Sequence, residues 1–187
     1  MKDPLEPYWT ALGKFLHRYA LLEQALNRVL RETTKVDRET AKAIFSGARV
    51  AQAISFINRV HEGKGTTKSP WLERAFPKVS ELTTARDKIL HNGFTLRGSD
   101  IIVSDRERTI PRAVYERAYT VTELYDLEAD TCVAHACINM ATYESIDRRR
   151  YRAARTREEQ IALTPWRHKP RAPKQSQPST LKAAQKP

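Results

Sequence analysis

Four polar side chains at the close of one apolar-periodic segment are the residues of this chain best suited to chemistry. Arg86, Asp87, His91 and Asn92 fall in the run Thr84-Ala85-Arg86-Asp87-Lys88-Ile89-Leu90-His91-Asn92-Gly93-Phe94. A guanidinium that stays charged, beside an imidazole that gains or loses a proton near neutral pH, suits phosphodiester chemistry or plain phosphate binding. Asn92-Gly93 marks a helix end, since both residues tolerate the left-handed backbone. Arg86 and His91 are five apart, about 140° around an ideal helix, and so do not share a face. Asp87 and His91 are four apart and do, which lets the carboxylate hydrogen-bond one imidazole nitrogen and fix its tautomer. The same residues equally describe a capped helix end, with His91 and Asn92 on the last carbonyls and Arg86 and Asp87 in solvent.

The elements that must position this cluster are helical. Leu12, Phe15, Leu16, Tyr19, Leu22, Leu26, Val29 and Leu30 recur at three and four, predicting a long first helix from Tyr8 to about Arg31. Glu23 sits near the inner edge of that face, as the partner of an arginine or as a rim residue in water. Asp37 is placed to cap a short second helix, Arg38 to Phe45, and Ser46-Gly47 separates it from a third, Ala48 to about His61. Ser69-Pro70 is a cap followed by proline at the first helical position, and the fourth helix then runs to the cluster. Pro77 lies inside it and is expected to kink or divide it. Phe94 to Ser104 reads as a β-hairpin turning at Gly98-Ser99-Asp100. Residues 105–118 read as irregular, and Thr120 or Thr122 opens a last helix carrying Leu124, Leu127, Cys132, Val133, Ala136, Met140 and Tyr143 to about Ile146.

The expected fold is therefore all-α: an up-and-down bundle of about five helices with a small β-hairpin insert and a disordered basic C-terminal tail. The helical domain spans residues 1–152 and the Pro-rich tail 153–187, with apolar periodicity lost from about Thr164.

A net charge of +11 suggests a nucleic-acid partner, but its distribution qualifies that. Residues 148–187 carry twelve Lys and Arg against two acids, leaving 21 basic and 20 acidic residues elsewhere. Arg148, Arg149, Arg150 and Arg152, with Tyr151 among them, can track a nucleic-acid backbone or form a solvated, solubilising extension. Cys132 and Cys137, the only cysteines, are five apart and imply no disulfide framework. Cys132, His135 and Glu128 make a weak metal set, so no metal and no cofactor are expected. The N-terminal residues lack the apolar run of a signal peptide and no segment has the length of an apolar span, so a cytoplasmic protein with no membrane partner is expected.

Arg86-Asp87-Lys88-Ile89-Leu90-His91 at the end of a late helix resembles the arginine, four to six residues, histidine motif of the HEPN superfamily (higher eukaryotes and prokaryotes nucleotide-binding). The run Phe15-Leu16-His17-Arg18-Tyr19-Ala20-Leu21-Leu22-Glu23-Gln24-Ala25-Leu26 is similar to the first helix of many bacterial members. Ile44 to Val50 and Val121-Thr122-Glu123-Leu124 are similar in placement, so the resemblance covers about residues 8–147 and leaves the tail outside. It implies a homodimer in which the motifs of two protomers meet, and a metal-independent endoribonuclease of toxin or defence type, with an antitoxin or other regulatory protein as a possible partner. His91 would then handle the proton of the attacking ribose 2′-hydroxyl or the leaving oxygen, and Arg86 would neutralise the scissile phosphate, supported by Asp87, Asn92 and Glu23. Asp87 departs from the asparagine common at that position. The alternative is a non-catalytic HEPN-like module that binds a nucleotide, nucleic acid or regulatory partner in the same groove.

Overall fold

The three-and-four spacing of the first segment produces a helix of 29 residues, α1 (Glu6–Thr34). The structure is a computed structural model that describes residue 3 and residues 5–97, 100–104, 116–145 and 152–169. After α1 come α2 (Arg38–Phe45), α3 (Val50–Gly63), α4 (Pro70–His91), β1 (Gly93–Arg97), β2 (Asp100–Ser104), β3 (Glu116–Tyr119), α5 (Val121–Ser145) and α6 (Arg152–Ala162). This is a helical bundle with a small antiparallel sheet.

Capping chemistry sets several of these boundaries. The Asp37 carboxylate accepts from Glu39 N at 3.0 Å and Thr40 N at 2.9 Å, so α2 begins at Arg38 as its sequence requires. Lys35 closes α1 at φ 60°, the only non-glycine residue of positive φ among the described residues. Thr120 and Glu123 form a reciprocal box ahead of α5, with Glu123 N donating to Thr120 Oγ1 at 3.1 Å and Thr120 N donating to Glu123 Oε2 at 3.0 Å. Ser69 and Pro70 open α4, where Ser69 Oγ accepts from Trp71 N at 3.3 Å. Pro77 does not divide α4; it lies on the solvent face, where the carbonyl it leaves without an amide partner can be hydrated.

The core is built on α5. Phe15, Tyr19, Leu22, Leu26 and Leu30 from α1, Ile57 from α3 and Leu82 from α4 pack against Leu124, Leu127, Ile138 and Met140. Helix α5 is buried nearly all the way round, since Val133, Ala134, Ala136, Cys137, Ile138 and Met140 are all inaccessible or nearly so. A helix apolar on every side needs neighbours on every side. α1 and α4 cover part of it, and α6 covers the rest.

That last neighbour corrects the expected tail. Residues 153–169 do not start a disordered segment: α6 takes 152–162, Ala162 is fully buried, and Trp166 packs against the core. The all-round apolar character of Ala134 to Met140 is the sequence signal that a further element must cover α5. Residues 170–187 lie outside the described residues, as do Arg148, Arg149 and Arg150; Arg152 opens α6, and its side chain is likewise outside them.

The hairpin forms with Arg97 opposite Asp100, and it gains a third strand. β3 pairs antiparallel with β2, placing Tyr119 opposite Ile101 and Arg117 opposite Val103, so residues 116–119 are not irregular. Tyr119 is 1% exposed, and its burial is what draws this polar stretch onto the sheet. Among the described residues no helix is long and apolar enough to cross a membrane.

Candidate functional site

The end of α4 lies beside the middle of α1, and one tyrosine joins them. Tyr19 is 2% exposed, and its hydroxyl meets Thr83 Oγ1 at 2.7 Å. Burial, reinforced by the nearby Glu23, pushes the phenol up to about 12, against the Thr83 bond that lowers it. Above the ring stands Arg86, its guanidinium carbon 5.1 Å from the ring centre. Thr83 also donates to Val79 O at 2.8 Å, which fixes its rotamer. Thr83→Val is expected to cost about 1–3 kcal/mol by leaving a buried hydroxyl unpaired, whereas Thr83→Val combined with Tyr19→Phe recovers most of that loss. Thermal unfolding of the single and double variants checks this; equal losses would refute it.

Arg86 is held from three sides. Its Nη1 donates to Asp87 Oδ1 at 2.6 Å, its Nη2 lies 3.7 Å from Glu23 Oε1, and its side chain is 28% exposed. The first contact is a charge-assisted hydrogen bond, while the second is an ion pair beyond hydrogen-bond range. The Asp87 bond raises the guanidinium pKa further, against burial, with smaller help from Tyr19 and Glu23. Glu23 is thus both a rim residue, 38% exposed, and the partner of an arginine.

His91 stands apart. It is exposed and makes no hydrogen bond or ion pair among the described residues. The expected Asp87 to His91 bond does not form, because Asp87 is turned to Arg86, whose guanidinium offers the stronger partner. Asn92 is half-buried and extended (φ −107°, ψ 140°) rather than left-handed, since it leads directly into β1; its N–H donates to Lys88 O at 3.2 Å. The structure therefore joins Arg86, Asp87 and Glu23, adds Tyr19 and Thr83, and leaves His91 without a bond among the described residues at the same helix end. Tyr19 reads in the sequence as a core residue, and only its hydroxyl could have marked it for more.

A second polar cluster lies where residues 163–169 cross α4, α5 and β3. Asp130, fully buried, accepts from Arg167 N at 2.6 Å and His168 N at 3.0 Å, and lies 3.4 Å from Lys78 Nζ. Lys78 Nζ also donates to His168 O at 3.2 Å and pairs with Glu81 at 2.9 Å. Trp166 packs under the cations of Arg74 and Lys78. Arg117 Nη2 lies 3.1 Å from His168 Nε2. Burial first, then Arg117 and Lys78, lowers the His168 pKa below 6.5, overriding Asp130 and Glu123.

The consequence for stability has a definite sign. A ring harder to protonate in the folded chain contributes fully above the unfolded value of 6.5, and that contribution is lost as pH falls from there through the folded pKa. His135, lowered chiefly by burial, acts in the same direction. The unfolding temperature is expected to fall between about pH 7.5 and pH 5.5, and His168→Gln to flatten the slope. A rise on acidification would contradict this.

The weak metal set is engaged otherwise. Cys132 Sγ donates to Glu128 Oε1 at 3.4 Å, and burial pushes the thiol up to about 11. Among the described residues no group of three or more His, Cys, Asp and Glu could hold a metal ion. Comparison with known proteins gives no match, whether to a family model, a curated protein or a solved structure.

Proposed function

We propose that this chain is a HEPN-like, metal-independent endoribonuclease that works as a homodimer. The observation that supports it is the presence at one helix end of an oriented, half-exposed Arg86 and an exposed His91 that no bond among the described residues occupies. In that reaction the ribose 2′-hydroxyl attacks the adjacent phosphorus, the P–O bond to the next nucleotide breaks, and a cyclic phosphate remains. One proton leaves the 2′-oxygen and one reaches the departing 5′-oxygen, a task for His91 from each of two protomers. Arg86 offsets the charge that builds on the phosphoryl oxygens. Leu90, exposed next to His91, gives a second copy an apolar seat at the two-fold axis.

The competing reading is a non-catalytic HEPN-like module that binds a nucleotide, nucleic acid or protein partner at the same place. Two carboxylates around Arg86 weigh against catalysis, because they offset the positive charge that would stabilise the phosphoryl oxygens in the transition state. Asp87→Asn separates the two. If the chain is a ribonuclease, removing one unit charge at this half-exposed position raises RNA cleavage by about ten-fold. If it is the binding module, neither wild type nor Asp87→Asn cleaves RNA, and binding of the retained ligand drops with Arg86→Ala.

A further inference from the structure

The groove between α1 and α2 is separate from both clusters described above. It has a volume of about 520 Å³, and its walls include Arg28, Arg31, Arg38 and Lys42, together with Asn27 and Phe45. The sequence builds it in a simple way. Asn27, Arg28 and Arg31 form one stripe at three and four on α1, and Arg38, Lys42 and Phe45 form the matching stripe on α2. The left-handed Lys35 and the Asp37 cap turn the second stripe to face the first.

Its charge is the informative part. Outside residues 148–187 basic and acidic residues nearly cancel, yet four cations line this one groove and no carboxylate does. Arg31 lies 3.4 Å from Glu32, an ion pair at a part-exposed site that is worth little. Arg28, Arg38 and Lys42 have no carboxylate partner among the described residues. Four like charges held together, three of them with no carboxylate partner among the described residues, are a cost to the folded chain that a polyanion would reduce. The volume exceeds what one phosphate fills and falls in the range of ligand sites. Phe45 offers an apolar wall for a base, and Asn27 an amide for its edge.

The groove also has a direction. Asn27 lines a second, adjoining cleft that includes Glu23, and Glu23 is the residue that pairs with Arg86. We propose that the α1–α2 groove holds the backbone phosphates of single-stranded RNA and leads the strand along α1 towards Arg86. This deepens the ribonuclease reading and rests on it for the identity of the ligand, while the location rests on the groove itself.

The test uses the full chain and a short fluorescein-labelled 2′-O-methyl RNA, which lacks the free 2′-hydroxyl and is not cut, titrated by fluorescence anisotropy across a range of salt. Arg28→Gln combined with Lys42→Gln keeps helix propensity and is expected to lower affinity about ten-fold and flatten the log–log salt slope by about 1.4. Lys14→Gln combined with Arg59→Gln removes the same charge elsewhere and is expected to bind near wild type. The proposal is overturned if the groove variant binds as wild type does, or if the control loses as much. It is also overturned if inorganic tripolyphosphate binds the groove and the RNA does not. Cleavage is read separately on the unmodified RNA of the same sequence: if wild type never cuts it while the 2′-O-methyl RNA binds through the groove, the ribonuclease is removed and the groove stands. Cleavage by a groove variant of undiminished affinity would do the reverse.

Discussion

His91→Ala is expected to lower RNA cleavage by about 10²–10⁴-fold in excess chelator, the usual contribution of a positioned proton-transfer group. The structure makes this substitution a clean one. His91 is exposed and holds nothing in place among the described residues, so the change should move stability by no more than about 0.5 kcal/mol. An unchanged unfolding temperature together with lost cleavage would assign the loss to chemistry. Arg86→Ala is a poorer test, because Arg86 covers Tyr19 and pairs with Asp87 and Glu23, and its loss strands two carboxylates. Cleavage that survives His91→Ala at the wild-type rate would refute the HEPN-like site as its source.

The largest effect on stability is expected from Asp130→Ala. Asp130 is fully buried and supports three partners: Lys78, and the backbone N–H groups of Arg167 and His168. Removing it leaves a buried ammonium with the half-exposed Glu81, the His168 carbonyl and the Trp166 ring, and takes the acceptor from two backbone donors. Breaking a buried pair in this way costs about 3–5 kcal/mol. For a chain of this length that lowers the unfolding temperature by roughly 6–20 °C. Residues 163–169 should also come free, so trypsin should cut after Arg167 before the bundle unfolds. Asp130→Asn keeps one carbonyl oxygen for a single backbone donor and should fall between wild type and Asp130→Ala. The account of this cluster fails if Asp130→Ala changes neither the unfolding temperature nor the rate of tryptic cleavage.

These two residues differ in how far the sequence announced them. His91 stands out because it closes an apolar-periodic run at a helix end, a pattern local enough to read in eleven residues. Asp130 does not, because nothing within one turn of it explains a buried carboxylate. Its partners are 52 residues before it on α4 and 37 and 38 residues after it. The folded stretch 152–169 was hidden for a similar reason. Its composition is that of a charged tail, and only the unpartnered face of α5 required that something cover it.

The α4 cluster shows the same division on a smaller scale. Helical spacing placed Asp87 and His91 on one face and allowed them to bond, which is a statement about backbone geometry. Whether they do bond is a choice between partners, and Arg86, held in position by the Tyr19 ring on α1, offers the stronger one.

By itself the sequence determined helices α1 to α5 and their buried faces, because periodicity, the Asp37 cap and the Ser69-Pro70 pair act over a few residues. It also determined that Arg86 and His91 end one helix. Tertiary structure alone decided that Asp87 serves Arg86, that Glu23 completes the pair, that residues 163–169 are tied down by Asp130, and that four cations of two helices face one groove. Each of these depends on how separate helices and segments pack against one another, which local propensity does not set.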